Sequence, residues 1–142
     1  MSDAEMMKLY SGRILELAAD IPHLGRLSGP MATVRKRSPL CGSVVTVDLV
    51  LQNGRVSEFA QDVKACALGQ AAAAILGRGV IGLSTTELQR GRDALRAMLA
   101  GGPVPPAPFD GFAVLEPARA FRNRHASILL AIEATAEAAE SL

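Results

Sequence analysis

The spacing of hydrophobic positions divides the chain into a helical start, an extended middle and a helical end. From Asp3 to Asp20, apolar residues recur every three or four positions, which predicts an amphipathic helix that ends before Pro22. Between Ala32 and Val63 the period falls to two, which is typical of strands. From Ala67 onward, small and apolar residues return to helical spacing. This order predicts a single α+β domain over residues 1–142.

The extended middle predicts a small three-stranded antiparallel sheet packed by helices. Val44–Leu51 is rich in valine and leucine, and Asn53-Gly54 directly after it is a strong signal for a tight hairpin turn. The return strand runs from Arg55 to Val63, and its imperfect alternation is compatible with a β-bulge. The earlier extended stretch Ala32–Arg37 is expected to pair as the third strand.

Glycine and proline mark the boundaries of the helices in the last part of the chain. Ser84-Thr85-Thr86-Glu87 has the spacing of a capping box, which marks the start of a helix. The prolines between Pro103 and Pro108 predict an irregular connector. Four helical segments are therefore expected: Ala67–Leu76, a helix from Ser84 that Gly101-Gly102 closes, a short piece over Phe112–Leu115, and Arg122–Glu140.

Composition narrows the class of protein. With 49% hydrophobic and 20% charged residues among 142, the chain is expected to fold into a packed core. Fifteen basic residues face 14 acidic ones, so charge gives no reason to expect nucleic acid or an anionic membrane as a partner. The acidic start Met1–Glu5 lacks the pattern of a secretory signal, which predicts a cytoplasmic protein. In that compartment the thiols of Cys41 and Cys66 would stay reduced.

Three residues are candidates for chemistry: Cys41, Cys66 and His125. Cys41 lies in a turn between proline and glycine, where a thiol can sit at a loop tip. Cys66 precedes the Ala67 helix, and a thiol at a helix start faces the positive end of the helix dipole, which favours thiolate, the form that binds soft metals or attacks sulfur. His125 lies near the start of the last helix, and imidazole suits zinc or iron.

Each candidate also has a structural interpretation. Free cysteines are often small buried hydrophobes, and a lone histidine near a helix start is often a surface or capping residue. The wide spacing of Cys41, Cys66 and His125 matches no zinc-finger pattern. A basic patch formed by Arg119, Arg122 and Arg124 is either a solvated helix face or a docking surface for an acidic partner.

Four stretches, spread over nearly the whole chain, resemble the U-type (IscU/NifU-type) family of iron–sulfur cluster assembly scaffolds. They are Tyr10-Ser11-Gly12-Arg13-Ile14-Leu15 leading to Pro22-His23-Leu24-Gly25, then Ser38-Pro39-Leu40-Cys41-Gly42-Ser43, then Cys66-Ala67-Leu68-Gly69-Gln70-Ala71-Ala72-Ala73, and finally Arg124-His125-Ala126-Ser127-Ile128-Leu129. The second is similar to the family's Asn-Pro-x-Cys-Gly-Asp motif, and the last to its His-Cys-Ser-Ile-Leu segment. The resemblance implies a SufE/NifU-like architecture.

The resemblance also implies a set of metal-binding residues, from which this chain departs at two positions. In the family, three cysteines and an aspartate, and sometimes a histidine, hold a [2Fe–2S] cluster or zinc. Carried over to this chain, the pattern keeps Cys41, Cys66 and His125, whereas Ala126 stands in place of the third cysteine and Ser43 in place of the aspartate. The family's chaperone-recognition segment, Leu-Pro-Pro-Val-Lys, is not found before His125.

This reduced ligand set leaves three hypotheses. The first is a non-enzymatic scaffold that binds iron, zinc or a transient [2Fe–2S] cluster through Cys41, Cys66 and His125, with water or a partner completing the site. The second is a metal-free interaction protein that docks on a cysteine desulfurase or another assembly partner. The third is sulfur transfer with Cys66 as the acceptor. The resemblance implies a cysteine desulfurase and other iron–sulfur assembly proteins as partners.

Overall fold

The computed structural model describes residues 12–142 and shows an α+β fold with one three-stranded antiparallel sheet, as the sequence predicts. Its helices and strands, numbered among the described residues, are α1 Arg13–Ala18, β1 Ala32–Arg37, β2 Val44–Gln52, β3 Arg55–Lys64, α2 Ala67–Gly79, α3 Thr85–Leu99 and α4 His125–Glu140. Two 3₁₀ segments, Asp110–Ala120 and Arg122–Arg124, connect α3 to α4. No helix within residues 12–142 is long and apolar enough to cross a membrane.

The sheet has the order β1-β2-β3 and confirms the predicted pairings. Val45, Val47 and Leu49 alternate along β2 and are buried, which explains the period-two pattern. The predicted bulge is also present: the register between β2 and β3 shifts after Val50, where Ser57 of β3 is the extra residue.

On the face of β2 opposite to Val45, Val47 and Leu49, the buried Asp48 makes a set of polar contacts. Asp48 is fully buried, and its carboxylate accepts hydrogen bonds from Arg26 Nε at 2.6 Å, from the Leu27 N–H at 3.0 Å and from the Thr33 hydroxyl. Burial alone would raise the pKa of this carboxyl, but these hydrogen bonds and the Arg26 charge outweigh it, so the pKa is lowered. The loop that carries Arg26 and Leu27 is therefore tied to the sheet by a charged group.

The helices pack around α4, which contacts α2, α3, β1 and β2. The predicted capping box is confirmed, since the Ser84 hydroxyl accepts from the Glu87 N–H and the Glu87 carboxylate accepts from the Ser84 N–H. The short helical piece expected over Phe112–Leu115 is longer than predicted: it belongs to the 3₁₀ segment Asp110–Ala120, which continues through Pro117. The first predicted helix, Asp3–Asp20, is helical over Arg13–Ala18, and its residues 3–11 lie outside the described part.

Candidate thiol site

The Cys41 loop is held at one end of the sheet by local hydrogen bonds. Residues 38–43 connect β1 to β2, with the Ser38 N–H donating to the Ser43 carbonyl at 2.8 Å and the Gly42 N–H donating to the Ser38 carbonyl at 3.1 Å. Gly42 has a φ of 73°, a conformation that favours glycine. The serine side chains at both ends of the loop are buried, whereas Cys41 is exposed. The thiol of Cys41 is therefore exposed to solvent, while the two ends of its loop are held in place by hydrogen bonds and burial.

Cys66 arrives at the same end of the sheet from the other side. β3 ends at Lys64, whose pairing partner is Val44, the first residue of β2 after the Cys41 loop. Cys66 then occupies the N-cap position of α2, as the sequence predicts, and it is half-buried. Both cysteines are free.

Ser127, in the first turn of α4, joins the two cysteines. Its hydroxyl lies 3.4 Å from Cys66 Sγ and 3.1 Å from Ser43 Oγ, and Ser43 Oγ lies 3.1 Å from Cys41 Sγ. We call Cys41, Ser43, Cys66 and Ser127 the thiol–hydroxyl cluster. The Cys41 loop, the start of α2 and the start of α4 therefore meet at one place, as the sequence predicts.

The approach of α2 to Ser127 depends on Gly69. A β-carbon at this position would lie 2.5 Å from Ser127 Oγ and 2.9 Å from the Ala65 β-carbon, both too close for real contacts. Glycine therefore lets the first turn of α2 pack directly against the first turn of α4. This close packing brings Cys66 within hydrogen-bond distance of the Ser127 hydroxyl.

The neighbouring hydroxyl groups make the Cys41 thiol ionise more readily than an ordinary cysteine. The neutral Cys41 thiol donates to Ser38 Oγ at 3.3 Å. Hydrogen bonding with Ser38 and then with Ser43 lowers the pKa of Cys41 from 9.0 to about 7, because both hydroxyls can turn and donate to the thiolate, against a smaller opposing effect of burial. Such a thiol is substantially thiolate at neutral pH. Sequence reasoning placed the activating effect on Cys66 and missed the role of Ser38 and Ser127. The signal available was the serine on each side of Cys41.

His125 lies elsewhere. Its Nε2 is 3.2 Å from the Ala118 carbonyl and 3.1 Å from the Arg119 carbonyl, so Nε2 carries a hydrogen and donates to both. The ring lines a separate cavity with Arg96, Arg119 and Arg122. The structure does not bring this imidazole to the two thiols, and its assignment as a metal ligand stays a prediction.

The donor set of the cluster can be compared with what a metal needs. Within residues 12–142, no three side chains of histidine, cysteine, aspartate or glutamate converge in a way that could hold a metal ion. Cys41 and Cys66 offer two sulfurs, and the nearby hydroxyls of Ser43 and Ser127 are poor ligands at neutral pH. A [2Fe–2S] cluster takes four protein ligands, normally thiolates or imidazoles. The described residues therefore supply about half of such a set at this place.

Solved structures similar to this chain define its class. The structure matches that of a nitrogen-fixing NifU-like protein (N-terminal) from Brucella abortus with a TM-score of 0.91 and 43% sequence identity over 94% of each chain. A candidate iron–sulfur cluster assembly scaffold protein for the SUF system from Fervidobacterium islandicum AW-1 matches with a TM-score of 0.80 at 18% identity, over 94% of this chain and 98% of that one. A hypothetical protein matches with a TM-score of 0.77 at 20% identity, over 99% of each chain.

The first of these similarities shows the family, and the other two show the fold alone. The chain belongs to the U-type, NifU-like family of iron–sulfur cluster assembly scaffolds. No family model matches the chain, and no curated protein matches it.

Proposed function

We propose that this protein acts in iron–sulfur cluster assembly as a non-enzymatic scaffold whose cargo is held by the thiolates of Cys41 and Cys66. The cargo is iron, zinc or a transient [2Fe–2S] cluster. Family membership supports the general role. The observation that carries the assignment of the two residues is the thiol–hydroxyl cluster, in which Ser127 contacts Cys66 directly and is linked to the exposed Cys41 through Ser43.

The cluster is suited to a cargo that must later be released. Two thiolates bind a soft metal, and the remaining positions are left for water, a substrate sulfur or a partner's side chain. Cys41 reaches solvent and is readily ionised, so it can meet an incoming metal without first losing a proton at high cost. His125 would join this set only if its ring released the two backbone carbonyls that it now contacts.

Partners are expected to complete the site. Because the described part of the chain offers two sulfurs where a cluster takes four ligands, a cysteine desulfurase or another assembly protein would have to supply sulfur and further ligands. The exposed Cys41 loop is the part of the cluster that such a partner can reach.

A second candidate function is a metal-free protein that docks on a cysteine desulfurase. It is favoured by the two substitutions at the family's ligand positions. The Ser43 hydroxyl is buried and shared between Cys41 and Ser127, which is a structural role, and Ala126 has no donor atom. In this alternative the surface around the Cys41 loop would be kept for docking alone.

Elemental analysis separates the two candidates. Protein purified without tags or chelators, and again after anaerobic reconstitution with iron and sulfide, should contain metal in simple ratio to protein. Both Cys41→Ser and Cys66→Ser should lose it, whereas Ser141→Ala, far along the chain from the cluster, should not. His125→Gln then decides whether the imidazole is a ligand. Metal content that is unchanged in both cysteine variants would reject the assignment, and no metal under either condition would favour the docking protein.

A further inference from the structure

A second concave site lies on the other side of the first turn of α4 and is strongly basic. It is a cavity of about 450 Å³ between the end of α3, the two 3₁₀ segments and the start of α4. We call it the arginine cavity, after Arg96, Arg119 and Arg122, which line it together with His125. Its volume lies in the range of small-molecule pockets. Among residues 12–142, none of the side chains that line it is acidic.

The charges of the cavity are only partly compensated. Arg96 donates to the Glu133 carboxylate at 2.6 Å and lies 3.6 Å from Asp93. Across residues 12–142, no carboxylate lies within ion-pair distance of Arg119 or Arg122, and both side chains are exposed. Within residues 12–142, this cavity therefore concentrates positive charge that carboxylates compensate only at Arg96.

The segment that carries these arginines is held rigidly. The His125 ring donates to the carbonyls of Ala118 and Arg119, which ties the end of the first 3₁₀ segment to the first residue of α4. Ala118 and Phe121, on either side of Arg119, are buried, and the Phe121 N–H donates to the Ala118 carbonyl at 2.9 Å. A fixed backbone lowers the entropy cost of binding for side chains that it presents.

We propose that the arginine cavity binds a small oxyanion with two or more negative charges, of the phosphate or polycarboxylate class. Guanidinium groups match such oxyanions with paired hydrogen bonds. The two exposed arginines can reorient to an anion without breaking an ion pair to any carboxylate of residues 12–142. His125 lies two residues before Ser127, so the anion would sit next to the thiol–hydroxyl cluster without using its groups. The inference therefore does not depend on metal binding by the cysteines.

Calorimetric titration of the whole chain at low salt tests the proposal, with inorganic phosphate and citrate as separate probes. Arg119→Gln combined with Arg122→Gln should weaken binding about tenfold or more, because each loses a charge-assisted hydrogen bond. Arg35→Gln combined with Arg90→Gln is the matched control. It removes the same charge from exposed arginines outside the cavity and should change affinity by about twofold at most. Arg119→Lys combined with Arg122→Lys should fall in between, since it keeps the charge and loses the planar fork of the guanidinium.

The two probes identify the class of anion. Saturable binding of phosphate, of citrate or of both, with the expected order of variants, supports the site. Binding that shows no saturation up to about 10 mM with either probe, or that weakens equally in both arginine pairs, overturns it as non-specific charge attraction. The metal content of the arginine variants separates this result from the scaffold role, because it should equal that of the unmodified chain.

Discussion

The ionisation of Cys41 is the sharpest consequence of the thiol–hydroxyl cluster. Hydrogen bonding with the hydroxyls of Ser38 and Ser43 lowers the pKa of this thiol to about 7 from 9.0. At pH 7 a thiol with the lowered pKa is about half ionised, whereas one at 9.0 is about 1% ionised. Cys41 should therefore react with iodoacetamide far faster at neutral pH than an ordinary cysteine.

Removing one hydroxyl should move the titration in a known direction. A hydrogen bond to a charged group contributes about 1.5–3 kcal/mol, and because Cys41 is exposed we take the lower end, which corresponds to about one pKa unit. Ser38→Ala should thus raise the pKa of Cys41 towards 8 and slow its alkylation at pH 7 about fivefold. Ser38→Thr keeps the hydroxyl and should restore most of the rate.

The assay is the rate of alkylation between pH 5 and 10, followed by mass spectrometry of the peptide that contains Cys41. Ser141→Ala removes a hydroxyl far from the thiol and serves as the control, with circular dichroism to check the fold of each variant. The explanation is refuted if the midpoint of the unmodified chain lies near 9, or if neither Ser38→Ala nor Ser43→Ala moves it.

Three further predictions concern stability and are measured by urea unfolding. Asp48→Asn should lower the free energy of unfolding by about 2–3 kcal/mol, because it breaks a buried charged contact. Asp62→Asn is the control, and it breaks no such contact, so it should change the free energy of unfolding by no more than about 0.5 kcal/mol. Since the folded pKa of Asp48 is lowered, its contribution should be complete at neutral pH and lost as acid titrates the carboxylate; equal acid sensitivity of Asp48→Asn would contradict this. Gly69→Ala should lower the free energy of unfolding by about 1–3 kcal/mol, and the double variant with Ser127→Ala should recover part of that loss, because it removes the hydroxyl that the new β-carbon meets. If the effects of the two substitutions simply add, the close contact between residues 69 and 127 is contradicted. Ser84→Ala should cost about 1 kcal/mol through the lost cap, and no change would count against the capping box.

Local patterns carried most of the fold. The alternation of Val45, Val47 and Leu49 determined a strand because its period matches the pleat, and Asn53-Gly54 determined the turn because glycine and asparagine tolerate positive φ there, 76° and 55°. The capping box at Ser84 is equally local, since donor and acceptor lie three residues apart. The 3₁₀ segment was predicted only over Phe112–Leu115 because Pro117 indicated a helix end, although its buried residues Phe112, Leu115 and Ala118 recur every third position, which is the 3₁₀ period.

The candidate site divides differently between sequence and structure. The sequence by itself predicted that Cys41 lies in a loop, that Cys66 directly precedes a helix and that His125 lies in the first turn of a helix from about Arg122; in the structure Arg122–Arg124 is 3₁₀ and the α-helix begins at His125. Only the tertiary structure decided that Ser127, and not His125, contacts Cys66 directly and Cys41 through Ser43, and that the imidazole turns to the carbonyls of Ala118 and Arg119. The physical reason is direction: residues two apart at a helix start point to different sides, and only the packing of α4 against α2 and the sheet decides which side meets the cysteines.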